Sequence, residues 1–354
     1  MKELVGMLPD EMEQFVLSLG EKPFRARQIT DWIYKKGVTD IEMMTDLSGS
    51  FRLLLSHNAR VTLPAVTKVT EAADGTVKFL LELADGAAIE SVIIPDEGRT
   101  TLCVSSQTGC ALGCAFCMTG RLGKRRDLTA GEIVGQVLVA RDYLGTRGEA
   151  LTNIVFMGMG EPLLNYDEVR RALTLILGDR GLSFSWRHVT VSTAGIPEGI
   201  TRLGKEVLVN LAVSLNAPDD QTRDRIMPMN RKYPLDALMA ALAAYPLKRG
   251  RRITIEYVLL SGVNDTEDHA RALVRLVRGI PVKINLIPFN PFPGAPFSRP
   301  DYGRVLGFQE ILISAHLNAI IRKSKGGGIA AACGQLVAAS STRGRSGGNE
   351  NGTA

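Results

Sequence analysis

From Thr100 onward the chain repeats one pattern six times, a short β-rich run followed by a helical stretch: TLCVSS, NIVFMG, HVTVST, VNLAVSL, RITIEYVLL and VKINLIPF are the six runs. Consecutive strands separated by helices read as parallel neighbours joined by crossovers, because antiparallel neighbours need only a tight turn. The alternation therefore predicts an α/β fold, either a (β/α) barrel or part of one. Thr129 with Glu132 and Asn165 with Glu168 mark helix starts, each a capping residue followed three positions later by an acid. In such folds chemistry collects at the C-terminal ends of the strands. A cysteine cluster follows the first run there, GMGE the second, Ser192 ends the third, Ser214-Leu215-Asn216 ends the fourth, and Asn290 follows the sixth.

The flanks read differently. Residues 1–60 have helical spacing, with Ile29, Trp32 and Ile33 on one face and Gly37 as a C-terminal stop. Over 61–99 the period falls to two, and Asp74-Gly75 and Asp85-Gly86 divide three alternating runs, as in an antiparallel meander. The core then covers 100–338, and 339–354 is a polar, glycine-rich tail with nothing to bury. With 45% hydrophobic and 22% charged residues, the composition excludes neither a large core nor solubility, and it is not that of a disulfide scaffold. The first residues lack an apolar signal-peptide core, and the apolar run from Ala237 to Tyr245 falls well short of the ~20 residues a bilayer requires. A cytoplasmic protein without membrane contact is expected. The net charge of +5 is concentrated in three short clusters, Lys124-Arg125-Arg126, Lys248-Arg249 with Arg251-Arg252, and Arg322-Lys323 with Lys325. They permit an RNA partner, and each is equally readable as solvated surface.

Five cysteines in a reducing compartment point to metal or redox chemistry. Cys110, Cys114 and Cys117 form a CxxxCxxC after the first strand, and none of the four histidines, His57, His188, His269 and His316, is near in sequence. The spacing favours an iron–sulfur cluster with one iron open to a ligand, and zinc with a fourth ligand from elsewhere is the alternative. In GMGE, Gly158 and Gly160 suit close backbone approach to a ligand or a tight turn, and Glu161 can accept from an ammonium group. Ser192, Ser214, Asn216 and Asn290 read either as ligand contacts or as ordinary caps. Cys333, in AAACGQL, and Cys103, between Leu102 and Val104, each read alone as buried small hydrophobes. Glu90 alternates onto the face of Val92 and Ile94, where a carboxylate is desolvated into the range of a general base or guards an edge strand.

The stretches KPFRARQITDWIYKKG, TLCVSSQTGCALGCAFC, LTAGEIVGQV, NIVFMGMGEPLLNYDEV, RHVTVSTAG, LAVSLNAPDDQTRDRIMPMN, KINLIPFNP and AAACGQL, in this order, resemble the RlmN-type branch of the radical S-adenosylmethionine (SAM) superfamily. The resemblance implies a partial (β/α)6 radical SAM barrel with an N-terminal helical, RNA-binding accessory domain and a small β-meander extension. It implies one [4Fe-4S] cluster on Cys110, Cys114 and Cys117, and SAM contacts from Gly160, Glu161, Ser192, Ser214, Leu215, Asn216 and Asn290. The activity it implies is methylation of adenosine carbon 2 in 23S rRNA and in tRNA next to the anticodon, by a monomer served by an external, flavodoxin-like electron donor. Carbon 2 is electron-poor and cannot attack a methyl sulfonium, so a carbon radical must be carried to it. The resemblance makes Cys333 the methyl carrier, Cys103 the resolving thiol that forms a disulfide with it, and Glu90 the base, with two SAM molecules used per turnover. Carbon-8 methylation, or a non-catalytic metal-bearing RNA-binding module, are the competing readings. Three departures stand out: KSKGGGI where relatives have an acid-rich stretch, Asn216 where histidine is frequent, and Asp127 where asparagine is usual. The three glycines Gly326 to Gly328 predict a mobile approach to Cys333.

Overall fold

The computed structural model describes residues 1–124 and 126–338. Arg125 and the tail over 339–354 lie outside the described residues. Helices α1 (Pro9–Ser18), α2 (Phe24–Thr30) and α3 (Gly49–Asn58) open the chain, framed by a short parallel pair, β1 (Lys2–Glu3) and β2 (Ala59–Arg60). The spacing of Ile29 and Ile33 buries both, through a π-turn over Asp31–Lys35, and Gly37 at φ +72° takes the left-handed conformation that ends it. This layer is bolted to the core at points where only glycine fits: a Cβ on Gly131 would stand 2.5 Å from the Val5 carbonyl. Arg171 adds an ion pair to Glu11 at 2.6 Å, and Arg141 donates to the Tyr34 carbonyl at 2.7 Å.

Strands β3 (Ala65–Glu71), β4 (Val77–Glu82) and β5 (Ala88–Asp96) form the antiparallel meander. Its two turns are the Asp-Gly pairs: Gly75 and Gly86 hold positive φ, and Asp74 and Asp85 each accept from the amide two residues on, at 3.0 Å. The meander is continuous with the core sheet. β5 pairs antiparallel with β6 (Arg99–Cys103), so one sheet runs from the meander through β7 (Asn153–Phe156), β8 (Val189–Thr193), β9 (Asn210–Ser214), β10 (Ile253–Leu259) and β11 (Val282–Pro288) to β12 (Asn318–Ile321). Among the described residues the sheet has ten strands in unbroken sequence order and stays open, with β3 and β12 at its edges. From β6 to β12 all pairings are parallel, one strand more than the six expected. β12 escapes sequence reading because NAII is four residues long and carries no usable period.

The crossovers are α4 (Met118–Arg121) with α5 (Ala130–Gly145), α6 (Tyr166–Leu177), α7 (Pro197–Glu206), α8 (Asp220–Ile226) with α9 (Leu235–Ala243), α10 (Glu267–Leu276) and α11 (Tyr302–Ser314). No described helix is long and apolar enough to cross a membrane. α5 begins with the expected reciprocal box, Glu132 N donating to Thr129 Oγ1 at 3.2 Å and Thr129 N to Glu132 Oε2 at 2.9 Å. α6 does not. The Asn165 amide instead donates to the carbonyls of Ser106 and Leu128, both at 2.8 Å, and Glu168 accepts from Ala130 N at 2.6 Å. Ser106 O also accepts from Leu128 N at 3.1 Å, so the Asn165 amide completes a buried set of backbone bonds and is not free to cap the helix.

β5 is buried on both faces, which blurs its period of two. Ser91 points at α5, donating to Gln136 at 2.6 Å, while Glu90 points the other way and accepts from Val337 N at 2.8 Å.

Candidate active site

A cleft of about 970 Å³ lies across the parallel strands, and Cys110, Cys114, Cys117 and Cys333 all line it. The cluster loop owes its shape to glycine and to backbone bonds. Gly109, at φ +131°, brings its Cα so close to Gly123 that a Cβ would meet that carbonyl at 2.0 Å. Cys110 N donates to Gly123 O at 3.1 Å, Ala115 N to Ile226 O at 2.9 Å, and Met118 N to Gly334 O at 2.8 Å. The last bond ties the cluster loop directly to the residue after Cys333. Burial pushes the Cys110 thiol up to about 12, with Glu161 and Cys117 adding to it, and raises Cys114, with Cys117 and Cys110 adding. A loop that gathers three cysteines, the thiols of Cys110 and Cys114 held protonated by burial, needs a cationic group to keep them as thiolates. Among the described residues no three His, Cys, Asp or Glu side chains converge on a single-ion site. The thiols rim a cleft instead, which suits a cluster held at its corners better than one zinc ion.

Of the residues expected to contact SAM, Gly160, Glu161, Ser192, Ser214 and Asn290 line the cleft. Leu215 and Asn216 are fully buried and do not line it. Asn216, at φ +60°, is consumed by the fold: its Oδ1 accepts from Val258 N at 2.8 Å and its carbonyl from Asn264 Nδ2 at 2.7 Å. The glycines of GMGE also serve the fold. A Cβ on Gly158 would meet the Val104 carbonyl at 2.7 Å and one on Gly160 the Gln107 Cβ at 2.5 Å, so both exist to let this turn pack on the segment after β6. Glu161 is buried and accepts from Leu163 N at 3.0 Å and Ala194 N at 2.7 Å. Burial raises its carboxyl against those bonds, and each carboxylate oxygen keeps a lone pair for a further donor. Asn290 Oδ1 accepts from Ser324 Oγ at 2.6 Å, joining the sixth strand's end to the segment leading to Cys333.

Two residues of this site were not singled out from sequence. Arg223 is wholly buried beneath the cleft and donates to Leu215 O at 3.0 Å, Ala194 O at 2.6 Å and Asn230 Oδ1 at 2.7 Å. Burial pulls its guanidinium down to about 10, with Cys114 opposing, so it remains a cation at neutral pH beside the cluster loop. Arg223→Met should therefore cost about 3 kcal/mol in chemical denaturation, because buried acceptors lose a charged donor. A loss below about 1 kcal/mol would mean that water replaces the guanidinium there. Glu256, in the middle of β10, lines the cleft and accepts from Asn285 Nδ2 at 2.8 Å. Its signal in the sequence was a lone charge inside the apolar run RITIEYVLL.

Cys333 combines an exposed surface with a position deep among protein atoms, because the surface it exposes faces the cleft. Burial raises its thiol to about 11; Glu256 adds to that and Arg322 opposes it. Cys103 is 7% exposed, and burial followed by the charge of Cys333 holds its thiol far above the ordinary range. Both are free thiols, so the disulfide expected between them is not a bond of this structure. Of Gly326 to Gly328, the first is fastened to the meander, and a Cβ on Gly327 or Gly328 would meet only open space. Gly326, at φ +67°, donates its amide to Asp74 Oδ2 at 2.8 Å, and a Cβ there would meet Ala331 Cβ at 2.8 Å. Lys325 pairs with Asp96 at 3.5 Å and donates to the Pro95 carbonyl. Asp74 and Asp96, both from the meander, thus fasten this segment.

The basic clusters differ in what they can reach. Arg126 is spent inside the protein, on Asp85 at 2.7 Å and Glu132 at 2.8 Å, and Lys124 pairs with Asp127 at 2.8 Å. Those two residues hold the cluster loop in place and are poor candidates for phosphate contact. Arg251 stacks on Trp186, 4.7 Å from its centroid, near the start of β8 and hence at the end of the sheet remote from the cleft.

Comparison with known proteins bears on this site directly. The family model for the ribosomal RNA large subunit methyltransferase N-terminal domain matches residues 2–61, and that for the radical SAM superfamily matches residues 104–274. The chain is 51% identical over 340 residues to the dual-specificity RNA methyltransferase RlmN of Solidesulfovibrio magneticus, covering 96% of this chain and 97% of that one. It is 52% identical over 328 residues to the RlmN of Syntrophobacter fumaroxidans, covering 93% and 96%. A crystal structure of a radical SAM methyltransferase from Sphaerobacter thermophilus superposes with a TM-score of 0.92 at 43% identity, covering 96% of this chain and all of that one.

Proposed function

The chain belongs to the RlmN family of radical SAM RNA methyltransferases, and from that premise we propose that it methylates carbon 2 of adenosine in 23S rRNA and tRNA by way of a methyl group carried on Cys333. The observation that carries this reading is the shared cleft: Cys333 and the three cluster cysteines face one space, joined by the Met118-to-Gly334 backbone bond. Cys110, Cys114 and Cys117 hold the [4Fe-4S] cluster that the family implies, and Glu161, Ser192, Ser214 and Asn290 offer SAM its polar contacts. When bound, the cluster would supply the one-electron reduction of SAM that activates the S-methyl group on Cys333.

The protein's own residues do the rest. Cys333, as thiolate, first accepts a methyl from one SAM, so each turnover consumes two. Once the methylene carbon of Cys333 has bonded to carbon 2 and the adduct has passed its unpaired electron to a one-electron acceptor, Glu90, buried and with its carboxyl raised by desolvation, takes the carbon-2 proton from the adduct between Cys333 and the RNA. Cys103, as thiolate, then attacks the Cys333 sulfur, forming an S–S bond as the carbon–sulfur bond to the product breaks; the electron pair of that bond stays on the product carbon, which takes up a proton to become the methyl group, and the disulfide is reduced afterwards. It therefore belongs to a stage of turnover and not to the resting fold. The helical layer over 1–60 supplies RNA contacts, and an external donor supplies electrons. RNA incubated with the protein, SAM and a reductant should yield 2-methyladenosine in nucleoside mass spectrometry. Methyl found at carbon 8, or no modified nucleoside, defeats this reading.

A further inference from the structure

We propose that Lys78 is a positioning residue for this reaction, a single ammonium that orients the Glu90 carboxylate and docks the segment carrying Cys333. The inference rests on the reading of Glu90 as base and Cys333 as carrier. In the antiparallel register Lys78 of β4 and Cys103 of β6 both stand opposite Val92 of β5. Side chains alternate faces along a strand, so Lys78, Glu90, Val92 and Cys103 share one face. Lys78 Nζ lies 3.0 Å from Glu90 Oε1 and donates to the Ala330 carbonyl at 3.1 Å. The other carboxylate oxygen, Oε2, accepts from Val337 N at 2.8 Å. Cys333 sits between these two fastenings. The ion pair is nearly closed to water, its side chains 14% and 6% exposed. Such a pair adds little stability over an apolar one of the same shape, which leaves its placement as the reason for it.

The groups facing Glu90 come from three directions. Lys78 acts from β4, the Val337 amide from the C-terminal segment, and Ser105 beyond β6 donates its hydroxyl to the Glu90 carbonyl at 2.6 Å. Burial raises the Glu90 carboxyl, and the Lys78 hydrogen bond and charge, with the Val337 amide, pull it back down. Lys78 thereby keeps a buried base in the form that can take a proton. When Glu90 accepts the carbon-2 proton, the C–H electron pair stays with the adenine and the carboxylate becomes a neutral acid. The charge that held Lys78 and attracted the Val337 amide is then gone. Both fastenings of the Cys333 segment weaken at the stage when Cys103 must reach its sulfur.

The test uses holoenzyme, RNA, SAM and reductant, with Lys78→Met, Lys78→Gln and Lys78→Arg. Two quantities are read: the pH at which the protein–RNA adduct resolves at half its maximal rate, and amide exchange over residues 330–337. Lys78→Met should move the half-maximal pH upward by about 1–3 units, the effect of removing one close opposite charge, and should speed exchange in that segment. Lys78→Arg should restore both. Lys78→Gln, which keeps a donor without charge, should show the pH shift with near-normal exchange, and it decides the matter if the Met variant loses its iron. An unmoved pH profile in Lys78→Gln, or unchanged exchange in a folded Lys78→Met, overturns the proposal. Glu90→Gln separates the two readings: normal turnover there removes Glu90 as base, whereas a block there with an unmoved Lys78 profile removes only Lys78.

Discussion

Cys103→Ala is expected to leave the RNA bonded to the protein. The variant keeps Cys333 in the cleft, so the carrier should still be methylated and still be coupled to adenine. What it lacks is the thiol on β6 that stands opposite Val92, the one assigned to release the product. Without that thiol nothing displaces the carrier sulfur, and turnover should stop at no more than about one RNA per chain. The product should survive denaturation, collapse on nuclease digestion, and leave a nucleotide mass on Cys333. Cys333→Ala should give neither S-methylated protein nor methylated RNA while keeping its iron, since Cys333 is not among the three CxxxCxxC thiols. Steady turnover by Cys103→Ala, or an adduct on another residue, would show these two thiols to be wrongly assigned.

The second large effect belongs to the cluster loop. Each of Cys110→Ala, Cys114→Ala and Cys117→Ala should reduce bound iron from about four per chain to nearly none, because a cubane with three protein ligands has no spare one. The fold should persist. The loop is held by bonds that none of these side chains makes: Cys110 N to Gly123 O, Ala115 N to Ile226 O and Met118 N to Gly334 O. Circular dichroism should thus match the parent while the visible absorption disappears, with cleavage of SAM lost in parallel. A variant that retains full iron and still cleaves SAM would falsify the assignment of that cysteine.

Much of this was legible in the residues because it is local. The six parallel strands announced themselves by alternation with helices, the two meander turns by Asp-Gly, and α5 by Thr129 with Glu132. All of these are set by backbone preference and hydrogen bonds within a few positions. Cys110, Cys114 and Cys117 were equally plain, since eight residues of sequence bring all three thiols onto one loop. Where the sequence misled, a long-range partner had claimed the side chain. Asn165 looks like a cap and fills two distant carbonyls, Asn216 looks like a ligand contact and is spent on Val258 and Asn264, and Arg126 looks like a phosphate contact and is paired with Asp85 and Glu132. Gly158 and Gly160 were correctly marked as points of close approach, yet what approaches is the segment after β6.

The sequence by itself determined the class of fold, the cysteine triad and six of the parallel strands, because each depends on spacing along the chain. Only the tertiary structure decided that Cys333 shares the cleft with the triad, that Asp74 and Asp96 from the meander hold the glycine segment before it, and that Lys78, Glu90 and Cys103 stand on one face. These residues are separated by up to 259 positions in the chain, from Asp74 to Cys333. Their proximity follows from strand register and from which buried charges find partners, and both are settled only when the whole sheet has assembled.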